Sequence, residues 1–263
     1  MTRVRLTHVG GPTTIIEIDG WRLLTDPTFD PPGRRYSFGW GSASRKLTGP
    51  AVAAADLGPI DAVLLTHDQH GDNLDGTGRA LLPSAGRVLT TEAAAARLDE
   101  NASGLAPWAS TSLHRHGYPT IDVTATPARH GPPLSRVVTG EVTGFALGWD
   151  GQQHGKLWIS GDTVLFRGIR EVADRLRVGT ALVHLGGVRF PVSGPVRYSM
   201  TARDAVRLCA DIAPHRLLPV HYEGWRHFRQ GRDTIEAAFA QAPPEVRRAV
   251  EWLPIGTPTD LDM

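Results

Sequence analysis

At 263 residues the chain can bury one sizeable core, and 41% hydrophobic with 21% charged residues is the balance of a globular domain. A formal net charge of +1 excludes a global pull towards nucleic acid or anionic membrane. No window approaches a membrane span and the N-terminus carries no apolar signal core, so a cytoplasmic protein is expected.

The chain opens with a strand over Val4 to Val9, the turn Gly10-Gly11-Pro12, and a hairpin of Thr14–Ile18 and Trp21–Thr25 across Asp19-Gly20. His8 reads as a strand histidine; Asp26, which directly follows a strand and could reach a site, reads first as a turn carboxylate. Residues 27–50 are rich in Pro, Gly, Arg and aromatics and show no period, which suits a lid or substrate wall. A short helix is predicted over Ala51–Asp56, then an apolar strand over Ala62–Leu65. Beyond it come a helix over Gly78–Leu82, a strand over Arg87–Thr90 and an alanine-rich helix over Glu92–Leu98. Strand and helix alternate to this point, which argues α/β layering. From Ser110 to Trp149 the pattern is β-rich, with His114 and His116 on one face of a strand and a further strand over Thr120–Thr126. Helical periods over Phe166–Val178, Thr201–Ala213 and Asp233–Ala242 separate the later strands, with Thr201 as N-cap and Pro214 as stop. Cys209 sits in one of these helices and reads as a core thiol; as the lone cysteine it forms no internal disulfide. No linker or repeat divides the chain, so 1–263 reads as one domain.

Chemistry concentrates where strands stop. Six of the nine residues from His67 to Asp75 can ligate a metal or carry a proton: His67, Asp68, His70, Asp72, Asn73 and Asp75. Imidazole and carboxylate suit zinc and related divalent ions. The strand before Pro127 leads to His130, Lys156–Ser160 to Asp162, Thr180–Val183 to His184, and Arg216–Val220 to His221. Independent polar caps would not all be His or Asp, whereas one site assembled from strand ends requires it. His154, His215 and His227 read as structural or exposed.

These residues and their order resemble the metallo-β-lactamase superfamily, whose motif is His-x-His-x-Asp-His after a strand, then a distant His, an Asp after Ser/Thr-Gly, and a final His. His184-Leu185-Gly186-Gly187, Ser199-Met200-Thr201 and Asp204-Ala205 look like the branch containing ascorbate-phosphate lactonase and the zinc phospholipase D acting on N-acyl-phosphatidylethanolamine. Two departures stand out. The cluster is His-x-x-His-x-Asp-Asn, so Gln69 and His70 compete for the second-ligand place, with His70 favoured because imidazole is the better donor. Asn73 stands where the family has a histidine; it is either a ligand whose amide oxygen binds divalent metal more weakly or the cap of the following helix.

The resemblance implies an αββα sandwich of two mixed sheets with helices outside, and a dinuclear edge site. His67, His70 and His130 would hold one ion, Asp72, Asn73 and His221 a second, and Asp162 would bridge. The metal is expected to be zinc, with manganese or iron as alternatives, at one or two ions per chain. The implied activity is hydrolysis of a small phosphodiester, lactone or related ester by a metal-bound hydroxide. Asp72 would move its proton, and His184 would take part in catalysis either from behind the ligands or facing substrate, without ligating the metal. Arg189, Arg197, Arg226, Arg229 and Arg232 flank the motif loops and could hold an anionic substrate, with Trp40, Tyr222 and Trp225 as an apolar wall. The alternatives are a nucleic-acid-processing member, disfavoured by the near-zero charge, and a binding protein whose site has decayed. A homo-oligomer is compatible with all three.

Overall fold

The computed structural model describes residues 3–39, 41–98 and 100–263. Trp40, expected in the apolar wall, lies outside the described residues. The first half builds β1 (Val4–Gly10), β2 (Thr13–Ile18), β3 (Trp21–Thr25), β4 (Arg35–Ser37), β5 (Ala43–Arg45), β6 (Ala62–Leu64), α1 (Gly76–Leu81), β7 (Val88–Thr90), α2 (Glu92–Ala95) and β8 (Ala102–Gly104). The second half builds β9 (Ser110–Leu113), β10 (Ile121–Pro127), α3 (Arg136–Thr139), β11 (Thr143–Gly148), β12 (Lys156–Ile159), α4 (Arg167–Arg175) and β13 (Val178–His184). It continues with α5 (Ala202–Ile212), β14 (Arg216–Val220), α6 (Arg232–Ala240), α7 (Pro244–Ala249) and β15 (Thr259–Leu261).

Two mixed sheets result, ordered β15-β1-β2-β3-β6-β7-β8 and β14-β13-β12-β11-β10-β9. Period-2 alternation sends Leu6, Ile16, Leu23 and Leu64 of the first sheet and Val123, Phe145, Ile159 and Leu218 of the second into one core between them. The opposite face of the first sheet carries Ile15, Leu24, Val63 and Val88, covered by Leu57, Leu74 and Leu82. The outer face of the second packs Trp158, Ala181 and Val183 under Ile169 and Val172 of α4, Leu208 of α5 and Phe239 of α6. Cys209 belongs to this outer core, as its helical pattern implied. The expected αββα layering is what the chain adopts. Among the described residues no helix is long and apolar enough to cross a membrane.

Topology fixes the site. β3 and β6 run parallel, as do β12, β13 and β14. β10 is antiparallel to β11, which is antiparallel to β12, so β10 points the same way as β12. The carboxyl ends that precede Asp26, His67, His130, Asp162, His184 and His221 therefore gather at one edge of the sandwich, where strand ends can aim side chains at one point.

Thr201 caps α5 with a reciprocal capping box to Asp204, and the helix stops at Ala213 in the left-handed region (φ 47°) before Pro214. Two expectations change. The strand carrying Leu113 ends there, so His114 and His116 share no strand face; His114 instead meets the Thr120 hydroxyl at 3.1 Å. Residues 27–50 contain the β4–β5 pair, whose three-residue strands are too short to show a period.

Candidate metal centre

The loop after β6 sorts its polar residues by partner. Asp68 turns outward to the Arg97 guanidinium (2.6 and 3.1 Å). Asp75 caps α1 through Gly78 N–H (2.9 Å) and pairs with buried Lys46 (2.9 Å). His67, His70 and Asp72 are left facing inward. Of the two contenders for the second-ligand place, Gln69 is exposed and His70 is buried. His70 Nδ1 lies 3.0 Å from both His67 Nε2 and His130 Nε2. Ligand atoms around a tetrahedral ion with Zn–N of about 2.1 Å stand roughly 3.4 Å apart, so three convergent ring nitrogens fit such an ion closely.

A second group, Asp72, Asp162 and His221, also brings its donor atoms together. Asp162 Oδ2 lies between the groups, 3.5 Å from His130 Nε2 and 3.7 Å from His221 Nε2. Gly161 makes its approach possible. It sits at φ +65°, and a Cβ there would run into the Thr143 carbonyl.

Both Asp162 oxygens, Asp72 Oδ1, Asn73 Oδ1 and His221 Nε2 are buried without a hydrogen-bond partner among the described residues. Orphaned polar atoms are costly and rare in native interiors, and five at one point fit the donor set of a metal. Asn73 uses its Nδ2 on Asp26 (3.2 Å), and Asp75, not Asn73, caps the helix; the atom left over is the amide oxygen, the one able to ligate.

Electrostatics agree with cation binding. Burial, followed by neighbouring imidazoles, holds His67 well below its ordinary value, His70 at about 3 and His130 at about 4, apart from an opposing pull from Asp72 and, at His130, from its Tyr198 hydrogen bond. All three are then neutral at pH 7 with lone pairs available. Asp72 is buried, yet His227 and His221 keep it well below the usual carboxylate range. Burial, joined by Asp72, raises Asp162 to about 7 against the pull of His221. Burial would lower His221, but the Asp162 and Asp72 carboxylates outweigh it and lift it to about 9.

Outer partners fix three of the four rings. His67 Nδ1 donates to Thr66 Oγ1 (3.1 Å), which donates to Asp26 (3.0 Å). His130 Nδ1 donates to the Tyr198 carbonyl (2.6 Å) and His221 Nδ1 to that of Leu185 (3.3 Å). Each bond leaves Nε2 as the free donor facing the site. Asp26 is thus more than a turn carboxylate: it also accepts from Thr66 N–H (2.7 Å) and His184 Nε2 (3.1 Å).

Several expected roles move. His184 is fully buried behind the ligands, held by Asp26 and Ser160, so it acts through Asp26 and does not face substrate. Tyr222 packs edge-on against Trp252 in the outer core, turned there because it follows His221 at the end of β14, and it lines no part of the site. Trp225 is buried behind Phe38 (ring centroids 6.2 Å), a support for the wall and not its surface. Arg189 gives backbone contacts to His227 and Arg229. His227, read as structural or exposed, is buried with Nε2 2.8 Å from Asp72 Oδ2 and Nδ1 2.7 Å from Ser44 Oγ. A histidine six residues past the last motif histidine was the only available signal.

Above His70 and His130 opens a cavity of about 260 Å³, walled by Phe38, Val138, Phe190, Val192 and Tyr198. Phe38 belongs to the turn between β4 and β5, so residues 27–50 supply one wall of this cavity. None of the five loop arginines lines this cavity. The Arg197 guanidinium bonds the Gly187 carbonyl (3.0 Å), and that of Arg232 pairs with Glu236 (2.7 Å).

An αββα sandwich with a two-part His/Asp centre at one edge defines a class of metal-binding proteins. The family described as the beta-lactamase superfamily domain matches residues 21–222, and the chain belongs to it. A metal-dependent hydrolase of Methanosphaerula palustris is 27% identical over 188 residues, 68% of this chain and 75% of that protein. One of Pyrobaculum neutrophilum is 26% identical over 238 residues, 89% and 91% of the two chains. Among solved structures, an isothiocyanate hydrolase from Delia radicum gut bacteria superposes with a TM-score of 0.80 at 18% identity, covering 98% of this chain and 100% of its own.

Proposed function

We propose that the protein is a metal-dependent hydrolase that cleaves a small ester, lactone or phosphodiester. The observation that carries this reading is the pair of donor groups, His67/His70/His130 and Asp72/Asp162/His221, sharing one edge, the first with its ring nitrogens converging on one another and the second with Asp72 Oδ1, both Asp162 oxygens and His221 Nε2 unpartnered among the described residues. The hydrolase names of its relatives support it. Zinc is the favoured ion, since the donors are imidazole and carboxylate, with manganese or iron as alternatives. Bound there, divalent ions supply a Lewis acid and a water acidified towards neutral pH.

The chain's own residues do the rest. Thr66, Tyr198 and Leu185 hold three imidazoles in the ligating tautomer. His227 fixes Asp72 by one oxygen and leaves Oδ1 free to take a proton at the reacting centre. Phe38, Phe190 and Val192 keep bulk water from one side of the site. The intact donor set favours turnover over a decayed binding site. Placement in the lactonase and phospholipase D branch rests on His184-Leu185-Gly186-Gly187 and the neighbouring sequence matches.

The test is metal content per chain on protein purified without added metal or chelator, alongside hydrolysis of p-nitrophenyl acetate. About two ions, with one ion and at least about 100-fold of the activity lost in His67→Ala, is the expected result. No ion after incubation with zinc, manganese or iron would sink the reading.

A further inference from the structure

The cavity over the metal centre says what kind of molecule reaches it. Among the described residues its walls include no Lys, Arg, Asp or Glu; beyond the two histidines they are aromatic, aliphatic or hydroxyl-bearing. Its volume of about 260 Å³ falls just below the roughly 300–1,000 Å³ of ordinary ligand pockets, which suits a molecule smaller than most drugs. The aromatic wall is braced from behind. Phe38 packs on Phe190 (5.2 Å between centroids) and on His227 (4.8 Å), and Phe190 stacks on His227 at 5.1 Å and 11°. A wall so held keeps its shape, as a specificity pocket must.

The rim of the cavity also presents an apolar group to solvent: Val192 is 63% exposed while lining it. Solvent-exposed aliphatic groups beside a catalytic cavity are a surface that water leaves readily when an apolar ligand arrives. Away from the two histidines, a charged substrate group in this cavity would lose its hydration with no charged side chain to replace it.

We propose that the cavity formed by Phe38, Val138, Phe190, Val192 and Tyr198 is the specificity pocket of the hydrolase, and that it selects an uncharged ester or lactone bearing a small alkyl or aryl group. This rests on the hydrolase reading above. In the reaction the water oxygen forms a new bond to the acyl carbon, the acyl–oxygen bond breaks, one water proton leaves on the alcohol and the other is released to solvent as the product acid ionises. Away from the two histidines, no charged side chain on the cavity wall retains the carboxylate.

Two measurements on the metal-loaded protein test the proposal. The first is kcat/KM for p-nitrophenyl acetate, butyrate and benzoate and for bis(p-nitrophenyl) phosphate. Butyrate is expected to exceed acetate about tenfold, from two more buried methylenes, and the phosphodiester to be at least about 100-fold poorer than butyrate. Val192→Arg, at an exposed position where the fold tolerates change, is expected to erase the butyrate preference with metal content unaltered. The second is ligand-observed NMR with the non-hydrolysable neutral ketone 1-phenylpentan-1-one, expected to bind the parent protein and not Val192→Arg. A phosphodiester preferred over every neutral ester, or no gain with chain length, overturns the pocket. Ketone binding without turnover of any ester retains the pocket and overturns the hydrolase reading. Absence of both ketone binding and chain-length dependence overturns the proposal outright.

Discussion

Asp72 shows how closely one residue's behaviour depends on a neighbour no motif announces. Its Oδ2 is held by His227 at 2.8 Å and approached by His221 at 3.4 Å. Partners of metal ligands typically carry 10–100-fold of metal affinity. His227→Gln is expected to weaken binding at the Asp72/Asp162/His221 group by about that factor while the three-histidine group keeps its ion, read by titrating apo protein with zinc. Equal losses in both groups would mean that His227 only packs. Strain marks the same region, since Asp26 and His221 have positive φ (33° and 56°). Such backbone costs about 1–3 kcal/mol and persists where the surroundings enforce it. The ligand types were legible in the sequence because each follows an apolar strand. His227 and the hub role of Asp26 were not, because hydrogen bonds between distant segments leave no local pattern.

At the scale of elements, the β4–β5 hairpin is a wall fastened by charge. Lys46 reaches Asp75 Oδ2 (2.9 Å) and the Thr28 carbonyl (3.0 Å) from a fully buried position. Removing one partner of such a pair costs about 3–5 kcal/mol, because the other charge stays buried alone. Lys46→Met is expected to lose about that much in urea unfolding. Asp30 is the second fastening. Burial alone would raise its pKa, but the Thr77 and Tyr36 hydroxyls, the Thr77 N–H and Arg34 outweigh it and hold the carboxyl at about 2. A carboxylate with a lowered folded-state pKa stabilises fully above its ordinary value of 3.8 and loses that contribution as pH falls through about 2. Asp30→Asn is therefore expected to cost on the order of 2 kcal/mol at pH 7, with the gap to the parent closing below pH 4. A gap independent of pH would mean that shape, not charge, secures the hairpin. The sequence marked residues 27–50 as functional by length and composition, yet not as a hairpin, since its strands are short and half exposed. Long elements with strong periodicity, such as α5 with its Thr201 cap, were legible to within a residue or two.

At the scale of the molecule, three apolar clusters hold the layers without help from the metal centre. Buried carboxylates Asp72 and Asp162 nevertheless repel each other when no cation lies between them. Chelation is expected to lower the melting temperature and leave the far-ultraviolet dichroism at 25 °C unchanged, since ions bound only by the folded state stabilise it by mass action. Loss of secondary structure on chelation would show instead that the metal is needed for folding. The layer order was legible from alternating strand and helix patterns. The edge pairing of β15 with β1, across nearly the whole chain, was not, because three residues carry no periodic signal.

The parallel strands that bring both donor groups to one edge also give the centre a history. During synthesis the three-histidine group has all its ligands once residue 130 has emerged, whereas the second group waits for His221 at the end of β14. The two halves of the centre differ, then, in birth order as well as in donors. An ion captured early by the histidines would sit in a half-built sandwich and tie its first sheet to β10 before the last strands arrive.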